Sequence, residues 1–497
     1  MKSRKLIIFL SLSLLPGIIF SSNAYSDWAK TYGGGADDEA RSIQQTVDGG
    51  YIVAGWSSSF GAGNKDFLVL KLSSTGTVQW QKAFGGWNED FAYSIQKTSD
   101  SKYGDGYIVV GKTLSFGAGN YDFLVIKLNS SGGIQWQKTL GGSTWDEAYS
   151  VIQASDTSYV VAGTAASFGA GASDVLVAKI TIGGGIQWAK AFGWSGYEAA
   201  YEIQQTSDGG YILAGYTNSF GGNVVRDILV LKLNSSGGYQ WAKTYGASGD
   251  DEAYSIQQTT DGGYILGGYS HTIEHTFDYL VLRLSSTGDI VWQKTYGLNE
   301  GDDVVYSVRQ TSDGGFIVAG IRETGLYAHD YYYIKLSSSG SKQWERIFTA
   351  VPGPGEELAY SVQQTSDGGY VIAGGGYYEF LVTKLDSSGS IPGCPRIFDR
   401  AEPNPFVNIV TTIRSPAEAS LSLSMGNPSV TVTAVAVDEG TICSGGGGCG
   451  GSSAEASSGY SGDPSSSISM SLYGLLALIM VGLVLATCAG RAKRKYE

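Results

Sequence analysis

The chain has 497 residues, a net charge of −13 and a pI near 4.8. That length accommodates a large core or more than one domain, and the acidity excludes nucleic acid as a partner, because phosphate binding needs clustered Lys and Arg. With 72 glycines, 10 prolines and 16% charged residues, the composition is one of strands and turns, with neither helical heptads nor the bias of a disordered chain.

The first element is an export signal, expected over residues 1–24. Lys2, Arg4 and Lys5 precede the apolar run LIIFLSLSLLPGIIF, and the small residues Ser22 and Ala24 close a cleavage site after Ala24. No cysteine follows the apolar run, so this is an ordinary export signal rather than a lipoprotein signal.

DWAKTYGG follows at 27–34, and its pattern returns around Trp80, Trp136, Trp188, Trp241, Trp292 and Trp344, at intervals of about 50 residues. Each later copy closes a block of three further strands. Strand a is ARSIQQT in the first block, then AYSIQKT, AYSVIQA, AYEIQQT, AYSIQQT, VYSVRQT and AYSVQQT. A VDGG or SDGG turn, whose glycines suit a tight hairpin, leads to strand b, GYIVAG. Strand c is DFLVLKL, and SSTG or SSGG leads to the tryptophan strand d. No connection is long enough for a crossover helix, so the strands form an antiparallel meander. Strands b and c are apolar on both faces, which means sheets covered on both sides. Four-stranded sheets covered by copies of themselves are the blades of a propeller; a β-solenoid, with its shorter coils, fits less well.

Strands a, b and c occur seven times, the last at 359–365, 369–374 and 379–385, where DSSGSIPGCPR follows without a tryptophan strand. The expected fold class is therefore all-β: a seven-bladed propeller over 25–391 in which the strand at Trp28 completes the seventh blade and leaves no open edge. The block GGGADDEARSIQQTVDGGYIVAGWSSSFGAGNKDFLVLKLSSTGTVQW resembles the bacterial β-propeller repeat of the SBBP type, and the likeness extends over all seven copies. That resemblance implies a secreted or surface propeller and no common catalytic chemistry.

The a–b and c–d turns share one face and are short and uniform; the b–c and d–a loops share the other and vary, as in WSSSFGAGNK, YSHTIEHTF and IRETGLYAH. Variable loops on a rigid scaffold are where binding usually resides. Acids recur on that face in the d–a loops (Asp37, Asp38 and Glu39; Glu89 and Asp90; Asp146 and Glu147; Glu198; Asp250, Asp251 and Glu252; Asp302 and Asp303; Glu356 and Glu357) and at the start of strand c (Asp66, Asp122, Asp174, Asp227, Asp278, Asp330, Glu379). They read as carboxylates capping loops once per blade, with a Ca²⁺-binding rim as the alternative. His271, Glu274, His275, His329 and Asp330 fall on the same face of neighbouring blades and form a candidate Zn²⁺ set, against the alternative of chance placement in polar loops. No cofactor is expected otherwise. Catalytic signatures are absent: there is no GxSxG elbow and no cysteine within the blades.

Residues 392–443 alternate in the β manner without the tryptophan and are expected as a small β appendage, bracketed by Cys394 and Cys443, which would pair outside the cytoplasm. A Gly/Ser-rich linker occupies 444–467 with Cys449 in it. The uncharged run at 468–490 is long enough to span a bilayer, and Arg491, Lys493, Arg494 and Lys495 in the tail 491–497 would stay cytoplasmic. Gly/Cys motif, helix and basic end together resemble the C-terminal sorting signals of Gram-negative bacteria. That likeness implies passage from the inner membrane to the cell surface or outer membrane through export and sorting machinery, with Cys449 as the processing or lipid-attachment site; a plain anchor with an incidental cysteine is the alternative. The functional expectation is a surface-anchored, non-enzymatic binding or adhesion module for a glycan or protein. Its alternatives are a structural surface-layer component and a glycoside hydrolase or lyase.

Overall fold

A computed structural model describes residues 27–220, 225–271, 277–296, 301–325, 328–350, 356–376, 378–394 and 397–398, together with short strands between 410 and 444. Ala24, Glu274, His275, Cys449, the linker and the expected membrane helix lie outside them. Among the described residues no helix is long and apolar enough to cross a membrane.

Seven antiparallel sheets carry strands a, b, c and d in that spatial order. In blade 1 these are Asp38–Gln45, Tyr51–Ser57, Asp66–Leu72 and Val78–Gly85. Strands b and c are buried on both faces, Tyr51–Ser57 and Asp66–Leu72 throughout, because each sheet is sandwiched between two others. The closure expected from the orphan strand is present. Trp28–Gly33 pairs antiparallel with strand c of blade 7, Trp28 opposite Lys384 and Tyr32 opposite Phe380. Lys384 Nζ binds Asp27 Oδ1 at 3.4 Å and the turn carboxylate of Asp367 at 2.9 Å, tying the two chain regions together.

The tryptophans join blades rather than fill them. Each packs edge-on or tilted against the first aromatic of strand b in the following blade: Trp80 on Tyr107, Trp136 on Tyr159, Trp292 on Phe316 and, across the closure, Trp28 on Tyr51 at 6.0 Å. The indole N–H of Trp28 donates to Ser74 O and that of Trp136 to Ile182 O, both in the next blade's c–d turn. The cations that recur in strand c reach back to the a–b turn of their own blade. Lys71, Lys179, Lys232, Arg283 and Lys335 bind Asp48, Asp156, Asp208, Asp261 and Asp313.

The described part of the tail contributes six short strands. They are dealt out singly to six of the seven blades, each extending a sheet at strand d, and among the described residues none pairs with blade 5. Ile397–Phe398 pairs with blade 6, Val410–Arg414 with blade 4, Ala417–Ser420 with blade 3, Met425–Gly426 with blade 2, Thr431–Ala434 with blade 1 and Asp438–Ser444 with the Trp28 strand of blade 7. The physical reason is the sheet edge. Strand d ends every blade with unpaired N–H and C=O groups, and a strand-forming tail satisfies them.

Candidate functional site

Strand a is the innermost strand, and the seven copies touch one another around the axis. Every copy carries a β-bulge at its fourth residue, shown by the register step between Ala40 and Ser42 in blade 1 and between Ala200 and Glu202 in blade 4. The bulge residue is left out of the ladder and its side chain is re-aimed. The glycine that ends GYIVAG makes room for this: a Cβ on Gly55 would overlap the carbonyl of Glu39 and the backbone of Ala40.

The bulge residues are Arg41, Tyr93, Tyr149, Tyr201, Tyr254, Tyr306 and Tyr360, and together they form a closed ring. Successive tyrosine centroids lie 5.3, 5.0, 4.8, 5.1 and 4.8 Å apart from Tyr93 round to Tyr360. Arg41 closes the gap, its guanidinium 3.9 Å over Tyr360 and 5.8 Å from Tyr93, a cation–π geometry. Burial pushes all six phenols up, Tyr306 to about 12, so the hydroxyls are neutral. Arg41 also pairs with Glu39, whose carboxyl burial raises and whose charge Arg41 and the Tyr360 hydroxyl partly restore.

Below the ring the side chains of strand a join neighbouring blades. The backbone N–H of Ile95 donates to Ser42 Oγ, that of Ile203 to Ser150, that of Val362 to Ser307 and that of Ile43 to Ser361, at 3.2 to 3.4 Å. The two strand-a departures of opposite charge meet here. Glu202 stands where the repeat has Ser and Arg309 where it has Gln, and their ion pair spans blade 5 at 2.7 Å, with Ser255 also accepting from Arg309 at 2.9 Å. These groups line a polar axial cavity of about 440 Å³.

Above the ring lies the loop-rich face. Lys65 sits 4.2 Å over Trp56, Lys112 4.4 Å over Tyr121 while bound to Glu147 at 3.0 Å, and Arg226 4.7 Å over Tyr216 while bound to Glu252. Among the described residues the exposed large aromatic side chains are Trp87, Tyr197 and Tyr378, and all three stand on d–a or b–c loops of this face.

Of the recurrent acids, those that open strands a and c are buried at the blade junctions as loop caps, Asp227 and Glu379 only partly. Asp38 Oδ2 accepts from Gly34 N, Asp90 from Gly86 and Asp146 from Gly142, each at 2.8 Å, and Asp66 accepts from Gly63 at 3.1 Å. They also come in pairs, strand c of one blade facing strand a of the next. Asp66 faces Asp90 and Asp122 faces Asp146, and a Cβ on Gly85 or Gly141 would overlap the first carboxylate of each pair. Desolvation, aided by the like charge, pushes Asp66, Asp122 and Asp174 up to about 6 and Asp251 to about 7. Blade 6 differs: fully buried Arg322 lies 3.5 Å from Asp303 and 4.0 Å over Tyr332, where other blades place Ser57, Thr113 or Ser270.

Of the candidate zinc ligands, His271 ends the strand Tyr264–His271, its ring 5.4 Å from Phe277. His329 Nδ1 stands 4.0 Å from Glu356, and Asp330 lies opposite Arg322 in the sheet. Among the described residues no three His, Cys, Asp or Glu side chains gather to hold a metal. The tyrosine ring was missed in sequence, although its signal, a Tyr second in strand a of six blocks, stood in every line of the repeat.

Comparison with solved structures returns propellers. Chaetomium thermophilum Sqt1 bound to the N-terminus of ribosomal protein L10 is 10% identical over 71% of this chain and 98% of that chain, TM-score 0.44. A streptogramin B lyase is 13% identical over 73% and 98%, TM-score 0.42. Likeness at this level carries no argument about activity. No family model matches the chain, and no curated protein matches it in sequence.

Proposed function

We propose that the protein is a non-enzymatic binding module that takes a glycan or protein ligand on its loop-rich face, at the mouth of the axial channel. One observation carries this: the ring of six tyrosines and Arg41 opens on the same face as exposed Trp87, Tyr197 and Tyr378. Aromatic rings with polar tips give contact area at little entropic cost and are enriched where partners dock. The repeated acids support a non-catalytic reading, since backbone N–H groups of the loops engage them. The bacterial propeller-repeat resemblance, the signal over 1–24 and the apolar, basic end of the chain support export and display on the cell surface.

Glycan and protein arrays probed with the purified protein test this. A ligand should be retained by the wild type and lost at least tenfold by Trp87→Ala together with Tyr197→Ala, both at exposed positions outside the core. Arg41→Tyr, which completes the ring with a seventh tyrosine, should fold and change affinity. Binding unaffected by all three substitutions would place the ligand elsewhere, and arrays without any ligand would favour a structural surface-layer role.

A further inference from the structure

The tail strands meet the blades in a fixed order, 6, 4, 3, 2, 1 and 7, each antiparallel to the outermost strand of its blade. From blade 4 onward only residues 415–416, 421–424, 427–430 and 435–437 separate them. The chain thus travels backwards round the rim and finishes beside the place where it left the last repeat.

Cys394 stands at that place and is disulfide-bonded. It packs against the buried cluster that contains Ala29, with Trp344 and Ile397 beside it, at the seam of blades 6 and 7. The last tail strand sets Cys443 directly opposite Ala29. The other two cysteines, Cys449 and Cys488, come after the final tail strand.

We infer that Cys443 is the partner of Cys394, and that residues 394–443 are thereby closed into a covalent hoop round the rim of the propeller. Two thiols lose two protons and two electrons in forming it. The acceptor is the disulfide of an exported thiol oxidoreductase, which leaves as a dithiol after exchange through a mixed disulfide. The hoop differs from an ordinary cross-link: it pairs with the blades by backbone ladders, so the bond holds the ends of a belt rather than two points of a core.

The full chain, purified without reductant and alkylated, provides the test. A non-reduced digest should yield the Cys394–Cys443 linked peptide. Linkage of Cys394 to Cys449 or Cys488, or alkylation of both Cys394 and Cys443, overturns the assignment. Hydrogen exchange then separates a belt from a local cross-link. Reduction, or Cys443→Ser, should speed exchange at the outer edges Lys190–Gly193 and Ala242–Gly246 at least tenfold, far from the bond. Strand a amides of Ser150–Gln153 should not change. Unaltered exchange at those edges with the linked peptide present would overturn the hoop.

Discussion

Asp66, Asp122, Asp174 and Asp251 are completely or almost completely buried, and their protons bind more tightly in the fold than in the unfolded chain. A carboxyl whose folded pKa is raised stabilises the fold when protonated, and that contribution disappears as pH climbs from the ordinary 3.8 through about 6 to 7. The turn carboxylates Asp208 and Asp313 have the opposite sign: hydrogen bonds and their lysines hold them down to about 2, so their contribution is lost only as pH falls through the range 3.8 to 2. The two windows do not overlap. Melting temperature should therefore be higher at pH 5 than at pH 8, and Asp251→Asn should raise the value at pH 8 and shrink the difference. A profile that is flat between these pH values in calorimetry would contradict the paired-acid account.

At the same scale, Glu202 and Arg309 are repeat departures that answer each other across a blade, with side chains 13% and 22% exposed. Losing one leaves a partly desolvated charge, so Glu202→Ser or Arg309→Gln alone should cost about 1–3 kcal/mol. The double variant, which restores the repeat at both positions, should recover most of that loss in a denaturant-based double-mutant cycle. Additive losses would show that the pair is not coupled.

At the scale of the element, the strand Trp28–Gly33 is flanked on both sides, by strand c of blade 7 and by the tail strand Asp438–Ser444. Trp28 is 1% exposed, whereas the tryptophans of the other d strands are half-buried. Trp28→Ala should cost roughly 3–5 kcal/mol and Trp292→Ala markedly less, as measured by chemical unfolding. Equal losses would mean that closure carries no special weight.

At the scale of the whole molecule, the propeller and its closure were legible because they repeat: seven tryptophans, seven turns and one missing strand can be counted in the chain. The ring of Tyr93, Tyr149 and their equivalents was written in the same repeat but not legible as a ring. Which strand faces the axis follows from closure geometry and a bulge, neither of which alters the residue pattern. The distribution of the tail was invisible for a different reason. Its partners are backbone N–H and C=O groups at strand d, a demand that any strand-forming sequence can meet, so Val410–Arg414 and Thr431–Ala434 share no motif. The histidine set shows the limit of shared-face reasoning: His271 and His329 lie on one face, yet each turns to its own aromatic or acidic neighbour.

The pairing of Trp28 with Ser444 has a mechanical consequence. The strand that begins at Trp28 and the strand that finishes at Ser444 meet at the same end of one antiparallel ladder. Tension between the two ends loads that ladder like a zipper, one pair of hydrogen bonds at a time, rather than in shear along its length. A zipper is the weak way to load a sheet, and the rupture would start at the outermost rung. Cys443 is the next rung. Bonded to Cys394, it would halt the tear after a single residue, so optical-tweezer extension from the two ends should show low-force peeling of the rim only after reductant is added, and early peeling in its absence would show that nothing stops the tear there.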